Sequence, residues 1–327
     1  DPPRRIVIEA VVVGRVGVDI TPAMPRTSLA AADTFVRAVG GFAGNIGTGL
    51  ARLGIRTAVV SAVGDDGHGE HVRAFLAAEG IDVAPIVTRP DSRTQVAFVE
   101  AWPPDRFPVT FYRATPAPET RLTPSELPTT LLAEAAVVVV SGALLATEPA
   151  RSTALGILDM RGASRGGRPV SFTILDLDWR PTLWERPDEA PGLIERAAAM
   201  SDVVIGSDDE FAAAGMRPEI GGGRPAPSMI VLKHGPDGVS LVTAEGRRSI
   251  AGIPVEVVCG TGSGDALAAA FAAGLLRGVD PFVAVERGSA AGAIVAGRLM
   301  CSTAMPTPDE IDRLLTGDAR QRQAALP

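Results

Sequence analysis

Residues 260 to 265 read Gly-Thr-Gly-Ser-Gly-Asp, with glycine at every second position ahead of a carboxylate. Glycine opens backbone angles closed to other residues and lets a ligand approach the main chain closely. If this segment opens a helix, the N–H groups of Gly262, Ser263 and Gly264 form an anion cradle, reinforced by the helix dipole. Asp265 then stands at the mouth of the cradle. A phosphoryl group in the cradle and a hydroxyl beside the carboxylate are the two halves of a phosphoryl transfer, with Asp265 as proton acceptor. An ordinary capped helix after a glycine turn has the same pattern, so the segment alone leaves both readings open.

Other phosphate-binding patterns are missing from the sequence. There is no Walker A loop, and the His-Arg-Asp and Asp-Phe-Gly signatures of protein kinases do not occur. The stretch Gly14-Arg15-Val16-Gly17-Val18-Asp19 lacks the third glycine of a dinucleotide fingerprint.

The elements that would position the loop alternate between strand and helix. Strands are expected at Ile6–Val13, Thr57–Val63, Ala135–Val140, Val170–Leu175 and Val203–Ile205, where apolar, β-branched runs stop at turn residues. Helices are expected at Ala43–Leu53 and Gly69–Glu79, stopped by Gly54 and Gly80, and near Pro149–Arg161 and Gly192–Met200. This rhythm predicts a mostly parallel sheet covered by helices in one domain spanning residues 1–327. Closely spaced strands at 229–233, 238–244 and 248–250 predict an edge meander, and Phe282–Leu299 a closing helix. Two stretches, about 19–34 and 93–113, break the rhythm with short extended pieces. They fit either a small β-rich lid over a site or a decorated sheet edge. Residues 221–228 read as a surface loop, and the polar end from Gly317 as a fraying tail.

Composition narrows the function classes. At 46% hydrophobic and 21% charged, the chain is that of a globular protein rather than a disordered one. The net charge of −7, with no basic stripe, argues against nucleic acid as a partner. The run Ala135–Val140 is too short to span a bilayer, so no membrane role is expected. Cys259 and Cys301 make no disulfide framework, which fits a reducing compartment such as the cytoplasm. His68, His71 and His234 have no zinc-site spacing.

Two separated signatures resemble those of the ribokinase-like (PfkB-type) carbohydrate kinases: Gly40-Gly41-Phe42-Ala43-Gly44-Asn45, and Cys259-Gly260-Thr261-Gly262-Ser263-Gly264-Asp265, similar to the family's Asp-Thr-x-Gly-Ala-Gly-Asp. The resemblance implies an α/β/α sandwich with a mostly parallel central sheet and a small β-rich lid, ATP and Mg²⁺ as cofactors, and an ATP-dependent kinase acting on a small sugar or sugar acid. It implies Asp265 as base, with Gly262, Ser263 and Gly264 as anion hole. Asp19, Gly40, Gly41 and Asn45 fall to the sugar. Lys233, Gly235, Gly238 and Thr261 fall to the nucleotide side, and Ser207 with Glu210 to a water network around Mg²⁺. In Asp176-Leu177-Asp178-Trp179-Arg180, Arg180 is implied to meet phosphate. The resemblance extends to a monovalent cation such as K⁺ near the second loop, where Cys259 and Gly260 replace the family's Asp and Thr.

Within that family, Phe107–Arg113, Asp176–Trp184 and Ala304-Met305-Pro306-Thr307 resemble the kinases of 5-dehydro-2-deoxy-D-gluconate. The nearest competitors are the 2-dehydro-3-deoxygluconate kinases, then fructokinases and ribokinases. A non-catalytic sugar- or nucleoside-binding protein on the same fold is the alternative from another class. An acidic sugar needs cationic donors, and Arg15, Arg113 and Arg180 are candidates, with Arg180 open to either carboxylate or phosphate. The lid's strand edges and apolar surface predict a homodimer.

Overall fold

The computed structural model describes residues 7–163, 171–220 and 227–324. Among these residues the main sheet has nine strands in the order β13-β12-β11-β10-β9-β8-β1-β4-β5. They are β1 (Ala10–Val13), β4 (Thr57–Gly64), β5 (Ile86–Arg89), β8 (Val137–Ser141), β9 (Phe172–Asp176), β10 (Val203–Ser207), β11 (Met229–Lys233), β12 (Gly238–Thr243) and β13 (Gly246–Ala251). All pairings from β5 to β11 are parallel, and β12 and β13 close the edge as the expected antiparallel meander.

Strand β1 shows why the sheet forms here. It is Ala-Val-Val-Val, buried throughout, and its side chains alternate between two cores. Ala10 and Val12 face the core under α1 (Phe42–Arg52), α2 (Gly67–Ala78), α7 (Ser263–Leu276) and α8 (Pro281–Ala296). Val11 and Val13 face the core under α4 (Ala150–Ala163) and α5 (Ala190–Ala199). A strand covered on both faces has no reason to alternate polar with apolar, and this one does not. Short helices α3 (Thr129–Glu134) and α6 (Asp208–Ala213) and the C-terminal α9 (Pro308–Ala324) complete the described helices.

A second, four-stranded sheet has the order β3-β2-β6-β7, formed by β2 (Gly17–Pro22), β3 (Phe35–Gly40), β6 (Val96–Val99) and β7 (Val109–Tyr112). The β2–β3 and β6–β7 pairs are antiparallel, while a parallel β2–β6 contact joins the two hairpins. The sheet runs beyond 19–34 and 93–113, taking in Gly17, Val18 and all of β3.

Some expectations shift. Only Ala10–Val13 of the first apolar run pairs with neighbours; Val7 is 51% exposed, and Ile6 lies outside the described residues. The tail expected from Gly317 continues instead as helix α9 to Ala324, because Ala, Arg and Gln are good helix formers. Most of the loop expected at 221–228 lies outside the described residues. No helix among the described residues is long and apolar enough to cross a membrane.

Candidate active site

In a doubly wound sheet, ligands bind beyond the carboxyl ends of the parallel strands, where the strand order reverses. Here the reversal falls at β1, between β4 and β8. Arg15 follows β1, and Ser141, Asp176, Ser207 and Lys233 end β8, β9, β10 and β11. The sheet therefore delivers residues far apart in sequence to one edge.

The glycine loop does open a helix. Gly262 caps α7 with a φ of 87°, which a side chain rarely adopts, and a Cβ there would lie 3.0 Å from the Cβ of Cys301. Ser263 Oγ bonds the Gly260 carbonyl at 2.7 Å, tightening the turn. The Cys301 thiol bonds the Thr261 carbonyl at 3.3 Å. A Cβ on Gly264 would meet Lys233 Nζ at 3.4 Å, so the ammonium stands against the cradle. Phe107, from the loop between β6 and β7, presses against Gly260, where a Cβ would come within 3.0 Å of its ring. The small sheet is thus in contact with the loop.

Asp265 lies in the first turn of α7, and Asn45 Nδ2 donates to its Oδ2 at 2.7 Å. Close packing of α1 on α7 sets this contact. One turn further along both helices, Gly49 faces Ala269, and a Cβ on Gly49 would stand 2.7 Å from the Ala269 Cβ. Ser302 Oγ donates to the other end of the Asn45 amide, Oδ1, at 2.8 Å. Burial pushes the Asp265 carboxyl up to about 6, against the opposing pull of the Asn45 bond. Asp19, on β2, is likewise raised to about 6 by burial, opposed by a Cys301 hydrogen bond and by Arg15. Gly40 makes room for it: a Cβ there would fall 2.1 Å from Asp19 Oδ2. Gly41, with φ at 83°, caps α1 and lies so close to Arg15 that a Cβ would come within 2.8 Å of its carbonyl oxygen.

Beside this pair lies a buried charge network. Arg15 Nη2 donates to both oxygens of Asp178, at 2.8 and 2.7 Å, and Ser141 Oγ adds a bond at 2.6 Å. Arg180 approaches Asp178 at 3.2 Å and Glu210 at 3.8 Å. Burial alone would raise Asp178, but Arg15 and Arg180 hold it below the usual carboxylate range. Glu210 forms a capping box with Ser207, accepting the Ser207 N–H at 2.7 Å, and also takes the Trp179 N–H at 3.0 Å. Burial opposes its charge, yet Lys233, the Ser207 N–H bond and Arg180 keep its pKa low. Lys233 lies 3.4 Å from Asp176 and 3.5 Å from Glu210. Asp176, the most buried of these acids, is raised to about 7 by desolvation despite Lys233.

Arg113 is held by the buried Glu119, and its Nη1 has no partner among the described residues. The same holds for Arg15 Nε. Burial lowers the Arg113 pKa; Glu119 opposes this and the nearby Arg15 adds to it. Gly235 and Gly238 form the turn after Lys233, with φ at 58° and 113°. A Cβ on Gly238 would strike the Ile250 carbonyl oxygen at 2.1 Å, so its neighbours are in β13 rather than in the cradle.

Three further residues belong to this site. Asp176 and Asp178 were visible as acids closing an apolar strand, though nothing local shows that one is paired and the other raised. Ser302 carried no local signal at all; it reaches the site only through a contact spanning 257 positions of sequence.

The profile of the pfkB family of carbohydrate kinases matches residues 7–308. The 5-dehydro-2-deoxygluconokinase of Clostridium tetani is 32% identical over 323 residues, covering 94% of this chain and 93% of its own. An uncharacterized sugar kinase from Pyrococcus horikoshii, solved in complex with ATP, superposes with a TM-score of 0.79 at 22% identity, over 93% of this chain and 99% of that one. Vibrio cholerae fructokinase, solved with fructose, ADP and calcium, gives a TM-score of 0.80 at 21% identity, over 94% and 99%. The two structures establish a shared ribokinase-like sandwich, and the sequence match over nearly the whole chain goes further: the chain belongs to the pfkB family of carbohydrate kinases.

Proposed function

We propose that this kinase transfers the γ-phosphoryl group of ATP to a primary hydroxyl of a small keto sugar acid, with 5-dehydro-2-deoxy-D-gluconate, converted to its 6-phosphate, as substrate. The observation that carries the acid-sugar reading is a pair of buried guanidinium nitrogens with no partner among the described residues, Arg15 Nε and Arg113 Nη1. A buried donor without a partner costs free energy, and a substrate carboxylate supplies the missing acceptor. Neutral sugars have no such group. Arg180 is 44% exposed on its side chain and holds Asp178 and Glu210 only loosely, which frees it for a phosphate.

Asp265 accepts the hydroxyl proton while the sugar oxygen forms its bond to phosphorus and the bond to the departing ADP oxygen breaks. With a pKa of about 6, it is mainly ionised at neutral pH and more basic than an ordinary carboxylate. The N–H groups from Gly262 to Gly264 take up charge on the phosphoryl oxygens, and Lys233 and Arg180 flank them. Both Glu210 oxygens already accept N–H bonds, which fits Mg²⁺ held through water rather than by direct ligation. Bound with the nucleotide, Mg²⁺ neutralises charge on the polyphosphate. Phe107 couples the small sheet to the loop, and that sheet acts as a lid excluding water from the reaction. Its edge-to-face row Phe35, Phe98 and Tyr112, with Tyr112 63% exposed, packs against a second copy of the chain in a homodimer.

A coupled ADP-release assay tests the reading across 5-dehydro-2-deoxy-D-gluconate, 2-dehydro-3-deoxygluconate, fructose and ribose. The first should give the highest kcat/KM. A tenfold preference for either neutral sugar, about 1.4 kcal/mol in transition-state binding, would reject the acid-sugar assignment. Sugar binding without ADP release would point to a binding protein instead.

A further inference from the structure

The contact that holds the base has a second layer. An ionised Asp265 is an acceptor only, so Asn45 must turn its NH₂ toward it, as it does at 2.7 Å. That leaves the amide carbonyl of Asn45 pointing inward, where Asn45 is only 4% exposed. Among the described residues, the partner of that oxygen is the hydroxyl of Ser302, at 2.8 Å, and Ser302 is fully buried. The segment carrying Ser302 is itself braced: Arg52 donates to the carbonyls of Thr303 and Met305 at 3.0 and 2.7 Å, and Arg298 to that of Ala304 at 2.7 Å.

We propose that Ser302 is a positioning residue for phosphoryl transfer: its hydroxyl satisfies the carbonyl end of Asn45 and so holds the NH₂ end on the Asp265 carboxylate. The proposal rests on Asp265 being the base. Without the hydroxyl, the Asn45 carbonyl is a buried acceptor with no partner among the described residues, and the amide relaxes by tilting away from Asp265. Asp265 then keeps its other neighbours, namely Asp19, Asp176, Asp178, Arg180, Lys233 and Cys301, but loses the hydrogen bond that lowers its pKa.

Two readouts on the intact protein test this. The first is the carboxyl titration of Asp265 in the free enzyme, followed by NMR with ¹³C-labelled aspartate and assigned with Asp265→Asn. Ser302→Ala should move that titration to higher pH. The second is turnover: Ser302→Ala should lower kcat about fivefold to tenfold, the usual scale for one lost hydrogen bond, with KM for ATP unchanged. In an Asn45→Ala background, Ser302→Ala should add nothing, because the path runs through Asn45. An unmoved titration, or additive losses in the double variant, would overturn the role of Ser302. A moved titration with full kcat, in a protein whose Asp265→Asn variant also keeps full kcat, would overturn the proposal through the base assignment instead.

Discussion

Replacing Asp265 by Asn should make the protein both far slower and more stable, and the two effects have different pH signatures. The carboxyl titrates at about 6 in the folded chain against 3.8 for an unperturbed aspartate. Between those values the folded state binds more protons than the unfolded one, so stability falls as pH rises. The stabilisation is complete below about pH 4 and lost by the time pH has risen through 6. The difference between those two values corresponds to about 3 kcal/mol, an upper bound because Asp265 retains partial solvent contact. Asn carries no charge and escapes that loss, while its carbonyl oxygen can still accept the Asn45 N–H. Asp265→Asn should therefore exceed the wild type by up to about 3 kcal/mol at pH 8. With an unfolding entropy of roughly 2.1 cal/mol/K per residue, that is about 4 °C in Tm. Neutralising Asp265 also relieves its repulsion of Asp19, which acts in the same direction. At pH 4.5, where the folded carboxyl is already protonated, the advantage should shrink to about 1 kcal/mol.

The assay is thermal or urea unfolding of the ligand-free protein at both pH values, beside kcat with the best substrate. Turnover should fall about 10²- to 10⁴-fold, the scale of a general base. A variant less stable than wild type at pH 8, or one whose advantage persists unchanged at pH 4.5, would refute the electrostatic reasoning. A kcat near wild type, with chemistry shown to be rate-limiting by single turnover, would refute the base, and Asp19 would be the next residue to test.

The same carboxylate should set the acid limb of kcat/KM, which should rise with pH through an apparent value near 6; Asp19 titrates beside it, so the limb belongs to the pair, and a profile flat from pH 5 to 8 would contradict it. Arg113→Lys keeps a cation for the buried Glu119 but loses the guanidinium fork, and should raise KM for the sugar acid about 10- to 100-fold while leaving any fructose turnover unchanged; equal losses on both would remove Arg113 from carboxylate recognition. Gly49→Ala places a Cβ 2.7 Å from that of Ala269. Overpacking of about 1–3 kcal/mol should outweigh the gain of about 1 kcal/mol in helix propensity, lowering both urea stability and kcat as α1 and α7 part; a stabilised variant with full activity would show that the helices yield freely.

How much of this was legible in the sequence depends on the range of the interaction. The glycine loop and its carboxylate were readable because turn, helix start and acid lie within six residues. Strand β1 was readable in kind but not in extent, since pairing with β4 and β8, not propensity, ends it at Ala10. The parallel β2–β6 contact was not readable, because local pattern signals hairpins and says nothing of how two hairpins meet. The charge states in the site were least accessible. Asp176 and Asp178 are two residues apart on the same strand end, yet one is raised and the other lowered, because Arg15, 163 positions away, reaches only Asp178. Gly49 read as an unremarkable helix residue, though its missing side chain is what lets Asn45 reach Asp265.

Of the raised acids, the one with the highest pKa is not the one proposed as base. Asp176, at about 7, is the stronger proton acceptor by that measure alone. It is only 2% exposed, its Oδ1 takes the Asp178 N–H at 3.1 Å, and both oxygens face Lys233 at 3.4 to 3.5 Å. Its basicity comes from being sealed in, and the same sealing keeps a substrate hydroxyl out. Asp265 is less raised but only partly buried, stands at the start of α7 where the N–H cradle lies, and among the described residues has a single side-chain donor, Asn45, fixing one oxygen. General-base catalysis needs hydrogen-bond reach before it needs basicity. The Lys233 ammonium, stabilised in its charged form by Asp176 and Glu210 against the cost of burial, links the two acids: it stands against Asp176 on one side and Gly264 on the other. In the proposed reaction, Asp176 thereby serves transfer by keeping a positive charge at the cradle, while the proton goes to Asp265.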